Sequence, residues 1–560
     1  MGWRALALAL ACAAPACATT PAVPMPDPSA PRAGERLLVG PTFWTNTPGA
    51  PDYRAVAVDA AGVVTGLYAA VPARLPAGVE RVELPGALAL PGLFDAHLHL
   101  AWIGRSFETL DLHGATSAAA VRERVAAFVA AHPDVRAVTG DGWDQTLFPG
   151  GAFPTAADLG PGDRPVVLTR VDGHALWLND VALATLSAHF ARPSDAAARV
   201  LRDAAGAPSG VVVDPSDALR AALAVPATAA DQERWIEAGL AACADAGLVE
   251  VHFMAATVPE LEALLRVARA AGRLPLRVAV YLYAEDASFA WLDAQPPGFL
   301  APHPDVRVLG VKLFADGALG SRGAALKAAY SDAPGERGDA VPVAQLTAWA
   351  QRTAARAMQI AIHAIGDRAN SDALAVIAAA GGPPGLRHRI EHAQVVDPAD
   401  WARFAAPVVV ASLQPTHATA DMRWAADRLG AARLVGAYAW RTVLAHGIPL
   451  AFGSDAPVAS WRPALGLYAA VTRQDPDGQP PGGWRPEERL TLGEAVTAFT
   501  VGAAYAAHEE DRRGVLAVGR PLDLTLFDRD PRPDPRLWLD AHVTATVRDG
   551  FVRRVIAAAP

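Results

Sequence analysis

His97 and His99 stand two residues apart in LALPGLFDAHLHLAW, directly after an apolar run and a Pro-Gly pair. Strand side chains alternate with a period of two, so both imidazoles point to one face and can share one metal ion. Lys312 lies inside the apolar run VRVLGVKLF. An amine there is costly unless it is paired or modified. One answer is a salt bridge. The other is a lysine of depressed pKa that takes up carbon dioxide, giving a carbamate able to bridge two metals. His363 ends the run IAIH, and His392 ends RIEH. A lone histidine at a strand end is ordinary structure, but two more beside a His-x-His pair point to a metal site. Asp455 follows the apolar run of IPLAFGSDAPV. It reads either as a turn or N-cap aspartate, or as a carboxylate that moves a proton from metal-bound water to a leaving group.

Such residues need a frame that brings strand ends together. His363 to His392 is 29 residues and His392 to Asp455 is 63. These match one and two strand–helix units of a (β/α)₈ barrel, at about 31 residues per unit. Lys312 to His363 is 51, one unit with a long loop. His99 to Lys312 is 213, where three units would need only about 94. With the ligands on strands 1, 4, 5, 6 and 8, about 120 residues are surplus between strands 1 and 4. An insertion over roughly 105–235, shaped as a lid or side domain at the barrel mouth, would hold them. Ala-rich helical stretches such as Val343–Met358 and Ser371–Ala380 follow the apolar runs, as a parallel α/β architecture requires.

Short β-like runs also occupy both chain ends, among them Val39–Phe43, Ala55–Val58, Leu524–Phe527 and Val543–Arg548. They predict one β-sandwich domain assembled from 36–90 and 510–560, around a barrel spanning 91–509.

The 560 residues are 52% hydrophobic and 19% charged, which supports a large core and excludes a disordered chain. A net charge of -9 gives no basic face for nucleic acid. Three cysteines exclude a disulfide framework. Two of them, Cys12 and Cys17, lie in the leader MGWRALALALACAAPACATT. Arg4 followed by the apolar run Ala5–Ala14 has the length of a signal peptide, over about residues 1–18. Residues 19–35, rich in proline, read as a linker. The expectation is export to the periplasm. Lipidation at Cys17, which would anchor the chain to a membrane, stays open because position 14 is Ala where a lipoprotein signal prefers Leu.

The order His-x-His, Lys, His, His, Asp resembles the metal-dependent amidohydrolase superfamily. More closely, the chain is similar to the amidohydrolase-3 group that includes N-substituted formamide deformylases. The supporting phrases are LPGLFDAHLH, GDGWDQ, RVDGHALWLND, SGVVVD, GVKLFADGALGSRGAAL, IHAIGDRAN, RIEHAQ and FGSDAPV, and the resemblance runs from about Gly34 to the end. It implies a (β/α)₈ barrel with a β-sandwich from both termini and a site of one or two divalent ions, usually Zn²⁺. His97 and His99 would hold the more buried ion with Asp455. His363 and His392 would hold the second, and Lys312, if carboxylated to N6-carboxylysine, would bridge them. Two ions about 3.5–4 Å apart would lower the pKa of a shared hydroxide toward 7. Asp455 would act as its general base and then as general acid. The implied activity is hydrolysis of a non-peptide C–N bond in an amide or substituted formamide.

Weaker candidates surround this set. His174 and Asn179 of the insertion could close over substrate or be structural. Trp102, Trp143, Asp144 and Phe148 could wall an aromatic pocket. Asp316, Gly317, Ser321 and Arg322 follow Lys312, and Arg322 could bind a substrate carboxylate or pair with a surface acid. Gln414 and His417 follow the run ending at Leu413 and reach toward the same mouth. Hydrolytic deamination is an alternative, against which Lys312 counts. Ester or phosphoester hydrolysis is a further one that the same donors would support. A non-catalytic ligand-binding lipoprotein is the reading from another class, disfavoured because no donor is missing. A small-molecule substrate is the expected partner, and a second copy of the chain remains open.

Overall fold

The computed structural model describes residues 30–555, apart from 171–174, 187–198, 214–216, 224, 297–300, 321 and 406–407. The leader, Cys17, His174 and Ser321 therefore lie outside the described residues. Two compact units are present. One comprises the described residues of Met1–Leu98, Cys243–Thr257 and Arg273–Pro560; the other comprises those of His99–Ala242 and Val258–Gly272.

The first unit contains an eight-stranded, all-parallel sheet. Its strands are β1 (Leu93–Leu98), β2 (Leu248–Ala256), β3 (Arg277–Tyr283), β4 (Val306–Phe314), β5 (Gln359–Ala364), β6 (Arg389–His392), β7 (Val410–Leu413) and β8 (Leu450–Phe452). Each pairs with the next in chain order. A parallel bridge between Leu98 and Ala456 brings the two edges together, so the sheet is a nearly closed barrel. The strands are buried on both faces, which is why they read as continuous apolar runs rather than alternating ones. Edge-to-edge closure needs close backbone approach. Gly453 permits it: a Cβ there would fall 2.4 Å from the His97 amide nitrogen.

A second sheet of eight strands in this unit draws on both chain ends. Its path runs Phe551–Arg554, Val543–Arg548, Leu524–Phe527, Leu88–Pro91, Arg36–Phe43, Tyr53–Val58 and Val64–Tyr68, with Glu80–Glu83 beside Arg36–Phe43. Leu38, Phe43, Val56, Leu524, Leu526 and Val547 form one of its buried faces. Strand Leu88–Pro91 continues through Gly92 into β1, and Thr525 fastens that joint. Its hydroxyl accepts from the Leu93 amide at 3.0 Å and donates to the Gly247 carbonyl at 2.7 Å.

The surplus length all falls between β1 and β2. There the second unit forms a six-stranded mixed sheet whose strands include Val138–Trp143, Val166–Arg170, Ala175–Leu178 and Pro208–Val213. Its core packs Leu168, Trp143, Trp177 and Val211. Among the described residues, no helix is long and apolar enough to cross a membrane.

Candidate metal centre

The C-terminal ends of the barrel strands gather the donors. His97 lies near the end of β1, Lys312 near the end of β4, His363 near the end of β5, and His392 is the last residue of β6. Asp455 follows β8 by three residues, and its amide donates to the His97 carbonyl at 2.7 Å. His99 occupies the N-cap position of the helix Leu100–Ser106 that follows β1. His97, His99, Lys312, His392 and Asp455 are all buried. His392 and Asp455 both have positive φ, 73° and 59°. For residues other than glycine that conformation costs energy, and it turns each side chain where a regular strand would not.

Among the described residues, two sets of three donors have ligand atoms mutually within 4.8 Å: His97, His99 and Asp455, and His392, His417 and Asp455. His97 Nε2 lies 3.4 Å from Asp455 Oδ1 and 3.5 Å from Lys312 Nζ. The imidazoles of His97 and His363 lie 4.8 and 4.6 Å from that of His392, between centroids.

The protonation states suit cation binding. Burial pushes His363 down to about 3, with the Lys312 charge acting the same way, and holds His392 well below its ordinary value. Both rings are therefore neutral and offer lone pairs. Burial also lowers Lys312 to about 8, against the upward pull of Glu391 and Asp455. His363 Nε2 and His417 Nε2 are buried without a hydrogen-bond partner. Imidazole nitrogens without a hydrogen bond beside a carboxylate fit a divalent ion such as zinc.

Beneath these donors lies a support layer that the sequence did not single out. His97 Nδ1 meets Glu391 Oε2 at 2.7 Å, which orients the ring with Nε2 toward Asp455 and Lys312. Burial alone would raise Glu391, but the Arg389 guanidinium and the His97 contact prevail and hold it well below the usual range. Arg389 donates to both Glu391 oxygens at 2.6 and 3.0 Å, to the Ala96 carbonyl at 2.7 Å and to Ser412 Oγ at 2.9 Å. It also contacts His252 Nδ1 at 2.9 Å and Tyr281 Oη at 3.2 Å. The available signal was Arg389 and Glu391 two apart in the fully buried strand RIEH, on one face of it. Asp95 was missed as well. It accepts from the His97 and Ser454 amides at 3.0 Å each, joining the first and last strand ends, and burial raises it to about 6.

The weaker candidates separate clearly. Gln414 Oε1 lies 2.8 Å from His392 Nδ1, so it orients that ring and leaves Nε2 for the site. Trp102 is half exposed and stacks on His99 at 4.6 Å. Trp143 does not wall a pocket: its indole is fully buried in the second unit's core and donates to the Leu168 carbonyl at 2.9 Å. Phe148 belongs to the same core, and Asn179 caps local backbone through Val166 and Ala182. Arg322 pairs with Asp332 at 3.0 Å, which answers the charge expected to await a substrate carboxylate. Asp316 accepts from the amides of Ala325, Ile365 and Gly366, so it ties the loops after β4 and β5 together.

Comparison with known proteins agrees with this geometry. The model of the Amidohydrolase family matches residues 80–553. The Bacillus subtilis protein named amidohydrolase YtcJ is 32% identical over 461 residues, covering 81% of this chain and 86% of its own. The N-substituted formamide deformylase of Arthrobacter pascens is 23% identical, covering 81% and 85%. The solved structure of an uncharacterized metal-dependent hydrolase from Pyrococcus horikoshii OT3 superimposes with a TM-score of 0.75 at 27% identity, covering 90% of this chain and 99% of that one. A barrel whose mouth collects histidines and one aspartate, matched over most of its length, places this chain in the amidohydrolase family of metal-dependent hydrolases.

Proposed function

We propose that the chain hydrolyses a non-peptide C–N bond in a small amide or N-substituted formamide. The observation that carries this reading is Asp455, whose two oxygens lie 3.4 and 3.6 Å from His97 Nε2 and His417 Nε2 at the barrel mouth. A carboxylate so placed can take a proton from an attacking water and return it to a departing amine. His97, His99, His363 and His392 would hold one or two ions, with zinc the ion that neutral imidazole and carboxylate donors suit best. When bound, such an ion polarises the acyl oxygen and lowers the pKa of a water. Lys312, with its amine lowered to about 8, is placed to react with carbon dioxide and become a carbamate between the two donor sets. Glu391 keeps His97 oriented throughout, and Gln414 does the same for His392. Trp102 offers an exposed aromatic face to substrate.

The likeness to a named formamide deformylase favours amides over ring amines. Purified protein loaded with Zn²⁺ and offered matched amide, ester and phosphotriester substrates tests the assignment. Release of amine, with the ester and phosphotriester turned over at least tenfold more slowly, is expected. Preference for the phosphotriester would overturn it. The apolar leader supports export to the periplasm, with Cys17 as a candidate lipid attachment; fractionation of cells expressing the full chain, with and without Cys17→Ser, tests both parts.

A further inference from the structure

His417 lies in the first turn of the helix Pro415–Asp421, which begins two residues beyond the end of β7. The donors implied by the family resemblance come from β1, β4, β5, β6 and the loop after β8, and β7 supplies none of them. Yet His417 points its Nε2 into the site, 3.6 Å from Asp455 Oδ2. That nitrogen is buried and makes no hydrogen bond. A buried polar atom left unpaired costs about 1–3 kcal/mol, so it calls for an explanation.

The neighbours supply one. The ring of His417 is nearly parallel to that of His392, at 12° and 6.0 Å between centroids. His392 Nδ1 is taken by Gln414, so its Nε2 is the free ligand atom. The donor atoms of His392, His417 and Asp455 all fall within 4.8 Å of one another, and the 3.6 Å between His417 Nε2 and Asp455 Oδ2 is close to the separation that tetrahedral bonds of about 2.0–2.2 Å produce. Asp455 presents Oδ1 to His97 and Oδ2 to His417, so one carboxylate faces two donor groups. His363, the expected companion of His392, falls in neither set of three. Its Nε2 lies 3.5 Å from Asp316 Oδ1 instead.

We propose that His417 is a metal ligand, holding a second divalent ion together with His392 and Asp455. The proposal rests on the metal-dependent reading of the site but not on any substrate. Asp421, one helical turn beyond His417, adds negative charge behind the ring. It is fixed by Tyr438 Oη at 2.7 Å and Gln394 Nε2 at 3.1 Å.

The test strips the full-length protein with a chelator and titrates it with Co²⁺, reading ions per chain by mass spectrometry and the ligand field by absorption. Wild-type protein should take two ions. His417→Ala should bind the second at least about tenfold more weakly while the first is unchanged. His417→Cys should restore the second ion and add a thiolate-to-cobalt charge-transfer band, which a merely structural residue would not give. Circular dichroism checks that both variants fold. Two ions of unchanged affinity in His417→Ala, wild-type protein saturating at one ion, or no charge-transfer band in His417→Cys would each overturn the proposal. Wild-type protein that binds no ion would overturn the metal-dependent reading as well, so the two failures are distinguishable.

Discussion

The barrel buries polar groups at both ends, and it treats them in opposite ways. At the N-terminal ends of the strands, Arg277, Arg307 and Arg513 meet Glu250, Glu509, Asp523 and Asp549. Each of these three arginines pairs with at least two acids. Arg277 holds Glu250 at 2.9 Å and Asp523 at 2.5 Å, while Arg307 holds Glu250 at 2.9 Å. At the C-terminal ends, imidazoles converge around one aspartate, and two ring nitrogens have no hydrogen bond. The lower cluster pairs acid with base throughout, and its two buried atoms without a hydrogen bond, Glu509 Oε2 and Arg513 Nε, face each other at 3.3 Å. The upper one gathers imidazole nitrogens around a carboxylate, a donor set that suits a divalent cation. Burial depth is similar at the two ends, so depth does not distinguish a structural cluster from a functional one. The balance of opposite charges does.

The contrast can be broken from either side. The largest effect is expected at the mouth, where Asp455→Ala should lower kcat by about 10²–10⁴-fold and still leave protein that binds metal. Steady-state kinetics with metal analysis reads both quantities, and undiminished turnover would remove Asp455 from the mechanism. At the other end, Arg277→Met removes one of the two arginines that hold Glu250 and Asp523 and should cost about 1–3 kcal/mol of stability. Denaturant unfolding measures that loss, with kcat expected to stay within about twofold of wild type.

Two smaller tests sharpen the boundary between support and ligand. Glu391→Gln removes the charged partner of His97 and should weaken metal binding by about 10–100-fold. Calorimetry of metal binding measures it; an unchanged affinity would make Glu391 a structural counter-ion of Arg389 alone. Lys312 supplies the pH test. Its conjugate acid titrates near 8, below the ordinary lysine value, so the amine is mostly protonated at pH 7 and mostly neutral at pH 9. The neutral fraction, and with it reaction with carbon dioxide, should rise about tenfold across that interval. A ¹³C-bicarbonate NMR titration would show the carbamate signal growing with pH. The same downward shift means that Lys312 stabilises the fold progressively between about 8 and its unfolded value as pH rises.

The strand–helix alternation and the strand-end histidines were legible because each donor interrupts an apolar run, where a polar residue needs a reason. The order of barrel strands followed from the spacing of His363, His392 and Asp455. Spacing alone allotted the surplus to the three connections between His99 and Lys312 together, and the reading of an insertion over roughly 105–235 lies within the stretch that precedes the strand Leu248–Ala256. For Trp143 the sequence left a pocket wall and a core role both open, with the core the commoner fate of a large aromatic, and packing against Trp177 and Leu168 puts it in the core. Arg389 and Glu391 were hidden for the opposite reason. Their pairing spans only two positions in the chain, but its purpose appears when His97, nearly 300 residues earlier, comes to lie against it.

Arg389 carries one further consequence. One guanidinium ties β6 to the carbonyl of Ala96 on β1, to Tyr281 on β3 and to Ser412 on β7. The orientation of His97 is therefore settled when the barrel interior closes, long before any ion arrives. Conformational entropy is surrendered in folding, and ligation has little left to order. Metal uptake by such a centre resembles filling a rigid socket rather than folding around a guest, and its heat-capacity change should accordingly be small.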